Sequence, residues 1–290
     1  MEPTTRIDLP DGRILALDDV GDPAGRPVVY LHGTPDSRLA RHPDDGLAAA
    51  AGVRLLAVDR PGAGASTPHP AATLTSLGED LAALLDHLDL PSVALLGWSN
   101  GGLQALGAAS ALGARVDRVV LVGTVPPVEA YADPDLVAAL GPGRQHFVEL
   151  VREMPPEELA AEMVHLLVPL PLTPEVALEH VLEMAGPVGR AELDAVPGAA
   201  ARLAAALEGA VAQGLDGLRA DLRLQVTPGL DLTTVAAPVT SVHGTDDGVS
   251  PPIVGEWLAA RLPAASVVVH QGAGHHLLLP RWREVLELTG

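Results

Sequence analysis

A serine flanked by small residues offers the clearest chemistry in this sequence. It lies in Gly97-Trp98-Ser99-Asn100-Gly101-Gly102, after the apolar run 92–96 and before the helix-forming stretch 103–106. A buried strand that turns sharply into a helix forces the turn residue into left-handed backbone, and only small neighbours two positions away leave room for it. The following helix N-terminus offers N–H groups to an oxyanion. The pattern predicts that Ser99 is a nucleophile.

A serine nucleophile needs a base, because its alkoxide does not form unaided at neutral pH. Of the 11 histidines, His275 is the best placed, since it follows Gly272-Ala273-Gly274 directly after the last predicted strand. Such a glycine-rich loop can bring an imidazole over the edge of a sheet. His276 and His270 are alternatives, but we expect His270 to end a strand and His276 to point away from its neighbour. His275 is therefore the predicted base.

A buried carboxylate should hold the second ring nitrogen of this base and stabilise the imidazolium that forms. Asp246 and Asp247 are the candidates, and both follow the predicted strand 238–243. An acid at this place gives the chain order serine, aspartate, histidine, which is expected in one fold among several that host such a triad. The residues alone leave the choice between the two aspartates open.

Each of these motifs also has an ordinary explanation. A single G-x-S-x-G is weak in a glycine-rich chain, and GAGH or Asp246-Asp247-Gly248 alone is more often a turn. A metal site is a further alternative, because histidines and aspartates crowd the C-terminal part. Their spacings lack the short helical or CxxC-type patterns of zinc ligands, so we expect no metal and no cofactor. The conjunction of motifs at the ends of predicted strands favours catalysis.

Composition narrows the class of protein. With 290 residues and 48% hydrophobic content, the chain can form one large domain or a core with an inserted subdomain. A net charge of -19 argues against nucleic acid as a partner, and the absence of cysteine excludes disulfides and a thiolate nucleophile. The N-terminus lacks a secretory signal and no apolar run reaches membrane-spanning length, so we expect a cytoplasmic protein with no membrane partner.

Strand-like and helix-like runs alternate in the first part of the chain, which predicts a largely parallel sheet with helices on both faces. Residues 5–9 and 13–19 are predicted to form a hairpin around Pro10-Asp11-Gly12. Further strands are predicted at 27–31, 53–59, 92–96, 116–122, 238–243 and 266–269, with crossover helices at 76–88 and 103–112.

Strand signals vanish between Pro126 and Thr234, where helix-like segments are separated by proline or glycine. This change predicts a helical cap inserted into the sheet domain. The candidate helices are 135–140, 144–154, 156–167, 174–184 and 199–220. The predicted organisation is a first core part at 1–125, the cap at 126–234 and a second core part at 235–290.

The chain resembles the α/β-hydrolase-fold serine hydrolases over nearly its whole length. His32-Gly33-Thr34-Pro35 is similar to the HG-x-P loop of that family, the segment 59–66 to its DxxGxGxS motif, and 97–101 to its nucleophile elbow. The acid loop at 244–247 and the histidine loop at 272–275 are two further matches. The resemblance implies an α/β fold with a mostly parallel central sheet flanked by helices.

The resemblance also implies roles for particular residues. Asp247 becomes the acid, and Asp246 its solvated neighbour. The oxyanion hole takes one backbone N–H from Asn100, the residue after the nucleophile, and a second from Thr34. We expect the Asn100 amide to add a polar contact to substrate. Trp98 and Gly33 are also expected to contact the substrate.

These residues predict a hydrolase that cleaves a carboxylic ester or lactone of a small to medium, mostly apolar molecule through an acyl-enzyme. The fold does not choose among the reactions that use the same parts. A perhydrolase, a carbon–carbon bond hydrolase, a biosynthetic lyase or cyclase, and a non-catalytic binding protein remain alternatives. The expected partner is a small-molecule substrate, and a homodimer stays open.

Overall fold

The computed structural model describes residues 3–290, and this part of the chain forms an eight-stranded sheet. The strands are β1 (Thr5–Asp8), β2 (Ile14–Gly21), β3 (Arg26–Leu31), β4 (Val53–Val58), β5 (Val93–Trp98), β6 (Val116–Val122), β7 (Val239–Gly244) and β8 (Ala265–His270). Their order in the sheet is β1-β2-β4-β3-β5-β6-β7-β8. The β1–β2 and β2–β4 pairs are antiparallel, and the pairs from β4 to β8 are parallel. The predicted hairpin and the mostly parallel sheet are confirmed.

The register of the parallel strands brings their carboxyl ends to one edge. Leu31, the last residue of β3, pairs with Val58 of β4 and with Gly97 of β5. The alignment continues through β6 and β7, where Val122 pairs with Val242. The loops that follow β3 to β8 therefore leave the sheet side by side, which is where open α/β sheets bind ligands.

Both faces of the sheet are buried, which explains the continuous apolar character of its strands. Side chains alternate between two clusters: in β5, Leu95 belongs to one and Leu96 to the other. The helices that cover these faces outside the 126–234 segment are α1 (Gly46–Ala50), α2 (Ser76–His87), α3 (Asn100–Leu112), α11 (Pro252–Ala259) and α12 (Trp282–Glu287). Trp257 and Trp282, at the sheet-facing sides of α11 and α12, are buried core residues.

The segment 126–234 lies between β6 and β7 and contains helices joined by loops, with no strand. Its helices are α4 (Pro134–Ala139), α5 (Pro142–Glu153), α6 (Pro156–Leu167), α7 (Pro174–Met184), α8 (Gly186–Asp194), α9 (Ala199–Ala210) and α10 (Asp216–Gln225). Leu159, Val164, Leu207 and Leu222 belong to an apolar cluster formed within this segment. We therefore call it the helical segment; its standing as a separate cap stays a prediction.

Two details of the helical segment differ from the sequence-based expectation. The single helix expected at 199–220 is wrong, because α9 ends at Ala210 and α10 begins at Asp216. Gly214, in the break, adopts a φ of 94°, which a helix cannot contain. Helix α8 was not expected, because Gly186 and Pro187 suggest a break in the chain. In the structure these two residues form the first turn of the helix, where proline is tolerated.

Within residues 3–290, no helix combines the length and the apolar composition that crossing a bilayer requires.

Candidate active site

Ser99 occupies a strained turn between β5 and α3. Its backbone has φ of 54° and ψ of -123°, in a region that residues with a Cβ rarely adopt. The turn is possible because the residues two positions before and after Ser99 are glycines. A Cβ at Gly97 would overlap the backbone of Gly101, and a Cβ at Gly101 would overlap the carbonyl of Leu31. This packing places the serine side chain above the carboxyl edge of the sheet.

Asp247 and His275 form a hydrogen-bonded pair across two neighbouring loops. His275 Nδ1 lies 2.9 Å from Asp247 Oδ2, and the other carboxylate oxygen accepts N–H groups from Val249 and Ser250, each at 2.8 Å. Burial raises the pKa of Asp247, but the His275 ring and these two N–H groups outweigh it, so the pKa lies below the ordinary value. The carboxylate stays ionised, and it can stabilise a positive charge on His275.

Asp246 differs from its neighbour in every respect that matters for this role. Its side chain is exposed, and its Oδ1 accepts the hydroxyl of Thr245. Asp247 is buried and bonded to the histidine, so the geometry agrees with the acid that the resemblance implied rather than with Asp246.

The main chain around His275 is held from two sides. Trp98 Nε1 donates to the carbonyl oxygen of His275 at 3.0 Å. Glu192, on α8 of the helical segment, accepts the N–H groups of Gly274 at 2.6 Å and of His276 at 3.0 Å. The histidine loop is therefore fixed by one side chain of the sheet and one carboxylate of the helical segment.

His276 does not point away from its neighbour, contrary to the expectation from sequence. Its ring centre lies 6.1 Å from that of His275 and 5.8 Å from that of Trp98. The loop turns immediately after His275, so consecutive side chains do not alternate as in a strand. Burial lowers the pKa of His276 to about 4, so this ring is neutral near pH 7.

The loop after β3 presents Thr34 beside the serine turn. His32 is buried and packs this loop, since its Nε2 accepts the N–H of Arg60 at 3.1 Å. Arg60 in turn donates to the carbonyl of Gly33 and to Thr34 Oγ1, both at 2.7 Å. Among residues 3–290 no acceptor takes the backbone N–H of Thr34 or of Asn100. Both donors predicted for an oxyanion are thus unoccupied.

Asp221, on α10, joins this loop to the helical segment. Its carboxylate accepts Thr34 Oγ1 at 2.5 Å and Asn100 Nδ2 at 3.2 Å, and it forms an ion pair with Arg60. Asn100 Nδ2 also donates to Thr34 Oγ1 at 2.9 Å, so its amide nitrogen is used within the protein rather than left for substrate. Asn100 Oδ1 is buried and has no hydrogen-bond partner in the described part of the chain.

Most of these residues line one cavity of about 580 Å³. Thr34, Trp98, Ser99, Asn100 and His275 line it, whereas Asp247 lies behind His275 and Gly33 packs against the Cβ side of Ser99. The helical segment supplies a largely apolar wall that consists of Met163, Leu167, Val181, Met184, Leu203 and Leu207.

Asp36 contributes a carboxyl group to the same cavity. Burial raises its pKa to about 7, although the charges of Arg60 and His275 oppose the rise. Asp36 and Ser99 both crowd Gly33: a Cβ there would lie 3.1 Å from Asp36 Oδ2 and 3.3 Å from the Ser99 Cβ. Asp36, Glu192 and Asp221 were not predicted as site residues, because no sequence motif distinguishes them from other acidic residues.

No three histidine, aspartate or glutamate side chains within residues 3–290 are grouped in a way that could hold a metal ion. His243, one of the residues in the crowded C-terminal part, is buried, with Nε2 2.7 Å from Ser241 Oγ and Nδ1 3.0 Å from the Ser250 carbonyl oxygen. Its ring has a structural role under the sheet edge.

The sheet order, the serine turn and the paired loops define the class. The chain belongs to the α/β hydrolase fold family, whose model matches residues 26–281. It is similar over nearly its full length, with TM-scores of 0.69 and 0.67, to the solved structures of an esterase from Rhodococcus sp. ECU1013 and of a bromoperoxidase from Bacillus anthracis. Their sequence identities of 22% and 23%, over 100% and 96% of this chain and 100% and 93% of theirs, show a shared fold.

Sequence relatives carry several activities. The chain is 31% identical over 268 residues to the dihydrolipoyllysine-residue acetyltransferase component of the acetoin cleaving system of Pseudomonas putida, covering 91% of this chain and 62% of that protein. It is 31% identical to the pimeloyl-[acyl-carrier protein] methyl ester esterase of Aromatoleum aromaticum, with 78% and 81% covered. It is 36% identical to a non-heme chloroperoxidase of Streptomyces lividans, with 42% and 45% covered. The chain thus spans less than two thirds of the first and third of these.

Proposed function

We propose that this protein is a serine hydrolase that cleaves a carboxylic ester or lactone of a small to medium, mostly apolar substrate. One observation carries the proposal: a buried Asp247–His275 hydrogen bond of 2.9 Å opens onto the cavity in which Ser99 sits on its strained turn. A relative that is 31% identical over 229 residues is named an ester-cleaving enzyme, which supports the same reaction class.

In the proposed reaction, Ser99 Oγ attacks the acyl carbon while His275 Nε2 accepts the hydroxyl proton. The carbonyl oxygen becomes an oxyanion, which accepts the backbone N–H groups of Thr34 and Asn100. Asp247 stabilises the imidazolium during this step. The tetrahedral intermediate collapses, the C–O bond breaks, and His275 returns the proton to the leaving alcohol.

The second half of the reaction repeats these roles with water. His275 takes a proton from a water molecule as its oxygen attacks the acyl-enzyme, and the same two N–H groups hold the oxyanion. Collapse of this intermediate breaks the bond to Ser99 and gives its oxygen the proton. The products are one alcohol and one carboxylic acid.

A perhydrolase is the second candidate, because relatives of this chain are named haloperoxidases. In that reaction hydrogen peroxide attacks the acyl-enzyme in place of water and releases a peracid. The two candidates share the first half of the mechanism. The ratio of peracid to acid formed from one ester in the presence of peroxide separates them.

The test is intact mass after treatment with a fluorophosphonate, for wild type and Ser99→Ala, beside hydrolysis of short and medium p-nitrophenyl esters. We expect one adduct on wild type alone, with turnover lowered roughly 10⁶-fold in Ser99→Ala. The thermal midpoint should hardly change, because the variant removes one oxygen atom. Wild-type protein that takes no adduct and turns over no ester would contradict the proposal; labelling without turnover would favour a lyase or cyclase.

A further inference from the structure

The cavity contains an arginine that takes no part in the proposed chemistry. Arg144 lies near the start of α5 and lines the cavity together with Ser99 and His275. Its Nε and Nη2 atoms are buried, and neither has a hydrogen-bond partner within residues 3–290. A guanidinium is charged at every relevant pH, so two buried donors of a cation are left unused.

Arginines that are buried as whole residues in the described part of the chain pair with carboxylates, whereas Arg144 is half-buried and has no such partner there. Arg38 pairs with Asp18 and Asp59, and Arg41 with Asp18 and Asp45. The guanidinium carbon of Arg144 instead lies 5.0 Å from the ring centre of Phe147, a contact that satisfies no N–H group. Buried polar groups in folded proteins are nearly always hydrogen-bonded, so an exception in a cavity points to an acceptor that a ligand supplies.

The geometry of the unused donors specifies the acceptor. Nε–H and the adjacent Nη2–H lie on one edge of the guanidinium plane and point in parallel. A carboxylate matches this edge with its two oxygen atoms, in the two-bond arrangement that arginine favours.

The remaining titratable groups that line the cavity do not pair with Arg144, so its free edge is available to an anion. Arg60 and His275 are the charged groups that lower the pKa of Asp36 against the effect of burial. Asp246 is exposed at the rim, and the His180 Nε2 is 3.1 Å from the carbonyl oxygen of Leu167. The neutral His276 adds no charge. Arg144 is thus a fixed positive charge among apolar walls.

We propose that Arg144 binds an ionised carboxylate of the substrate, so the preferred ester carries a second, free carboxylate at the end of an apolar chain. This inference deepens the proposed ester hydrolysis and rests on it for the reaction, but not for the binding. The substrate class is the half-ester of an aliphatic dicarboxylic acid. The apolar wall of Met163, Leu167 and Met184 contacts the chain between the two carboxyl groups.

The kinetic test compares monomethyl esters of straight-chain dicarboxylic acids with methyl alkanoates of matching length. Wild type should have the higher kcat/KM for the half-ester at one chain length. In Arg144→Met the ratio of half-ester to neutral kcat/KM should fall about 10- to 100-fold, chiefly through KM, because one charge-assisted pair is lost. Arg144→Lys should lie between, since lysine offers a point charge without the fork.

Arg219→Met is the matched control. Arg219 also belongs to the helical segment and pairs with exposed Asp216, but it does not line the cavity. Its selectivity ratio should equal that of wild type. Equal losses for both ester types in Arg144→Met, or no change in the ratio, would overturn the proposal.

A binding measurement separates this inference from the proposed reaction. Calorimetric titration of Ser99→Ala with the intact half-ester should give binding that Arg144→Met, added to the same background, weakens about 10- to 100-fold. Binding without such a difference would refute the role of Arg144 even if the ester is cleaved. If the protein takes no fluorophosphonate but binds the half-ester through Arg144, the proposed serine hydrolysis is refuted and the carboxylate-binding role of Arg144 is supported.

Discussion

Two regions of the molecule meet at the cavity, and they contribute different things. The sheet edge supplies the groups proposed to react, since Ser99, Asp247 and His275 all lie in loops that follow parallel strands. The helical segment supplies carboxylates that hold these loops: Asp221 contacts Thr34 and Asn100, and Glu192 holds the main chain on both sides of His275. In the proposed mechanism the loops of the sheet edge thus supply the reacting groups, and the helical segment supplies carboxylates that position those loops.

The difference suggests how the two regions are coupled. Movement of the helical segment as a whole away from the sheet would release the loop after β3 and the histidine loop together, because α10 carries Asp221 and α8 carries Glu192. The Asp247–His275 pair contacts no residue of the helical segment directly through its hydrogen bonds. Substitutions in the sheet loops should therefore remove chemistry, and substitutions in the helical segment should misplace it.

After Ser99→Ala, the largest effect is expected from the sheet side, at the two neighbouring aspartates. Asp247→Asn should lower kcat about 10⁴-fold, because an amide cannot hold His275 in the tautomer that accepts the serine proton. Asp246→Asn, the matched control, should stay within about 3-fold of wild type, since that side chain is exposed. Steady-state kinetics on one ester would decide the matter, and equal losses from both variants would undo the assignment of the acid.

A smaller effect is expected from the helical segment at Asp221. Asp221→Asn removes the charge that pairs with Arg60 and one acceptor for Thr34 Oγ1. We expect kcat to fall roughly 10- to 100-fold, because the loop after β3 that carries Thr34 shifts, and the unfolding free energy to fall by about 1–3 kcal/mol.

The control for Asp221 lies on the same helix. Asp216→Asn removes an exposed ion pair with Arg219 and should change neither quantity measurably. The readout is kcat against KM at a temperature where all variants are folded. A loss of stability with unchanged kcat would show that Asp221 only anchors α10.

The smallest effect is expected at Glu192. Glu192→Gln replaces a carboxylate that accepts two N–H groups with an amide whose single oxygen is a weaker acceptor. We expect kcat to fall about 3- to 10-fold, because the His275 main chain gains freedom. Glu183→Gln, on the neighbouring helix α7 and exposed, serves as the control. Unchanged kcat in Glu192→Gln would show that Trp98 alone suffices to fix the loop.

Glu192 also predicts a pH dependence of stability. Burial raises the pKa of this carboxyl above its ordinary value of 4.5, although the N–H groups of Gly274 and His276 lower it. Ionisation is then harder in the folded than in the unfolded protein, so the charge reduces stability as pH rises through the folded-state pKa. Glutamine does not titrate, and the stability of Glu192→Gln relative to wild type should increase between about pH 4.5 and pH 8 in urea unfolding. A flat or opposite trend would contradict this.

Much of the sheet was predictable because its signals are local. Apolar runs of strand length mark β3 to β7, and the glycines around Ser99 record a backbone that only small flanking residues permit. The hairpin followed from its Pro10-Asp11-Gly12 turn. In the helical segment the break between α9 and α10 was missed because it covers only residues 211–215, and α8 was missed because it begins with glycine and proline.

By itself, the sequence determined the fold family and the elements on which Ser99, Asp247 and His275 lie, because strand ends and tight turns are encoded by neighbouring residues. Only the tertiary structure showed that Asp247 is buried against His275 while Asp246 is exposed, and that His276 turns toward Trp98. It also brought Arg144 to the cavity, and Asp221 and Glu192 to the loops beside it. The contacts of Asp221 with Thr34 and of Glu192 with Gly274 join residues that lie 187 and 82 positions apart in the chain. No local pattern encodes such contacts, since a carboxylate on a helix surface looks the same in sequence whether it faces solvent or a catalytic loop.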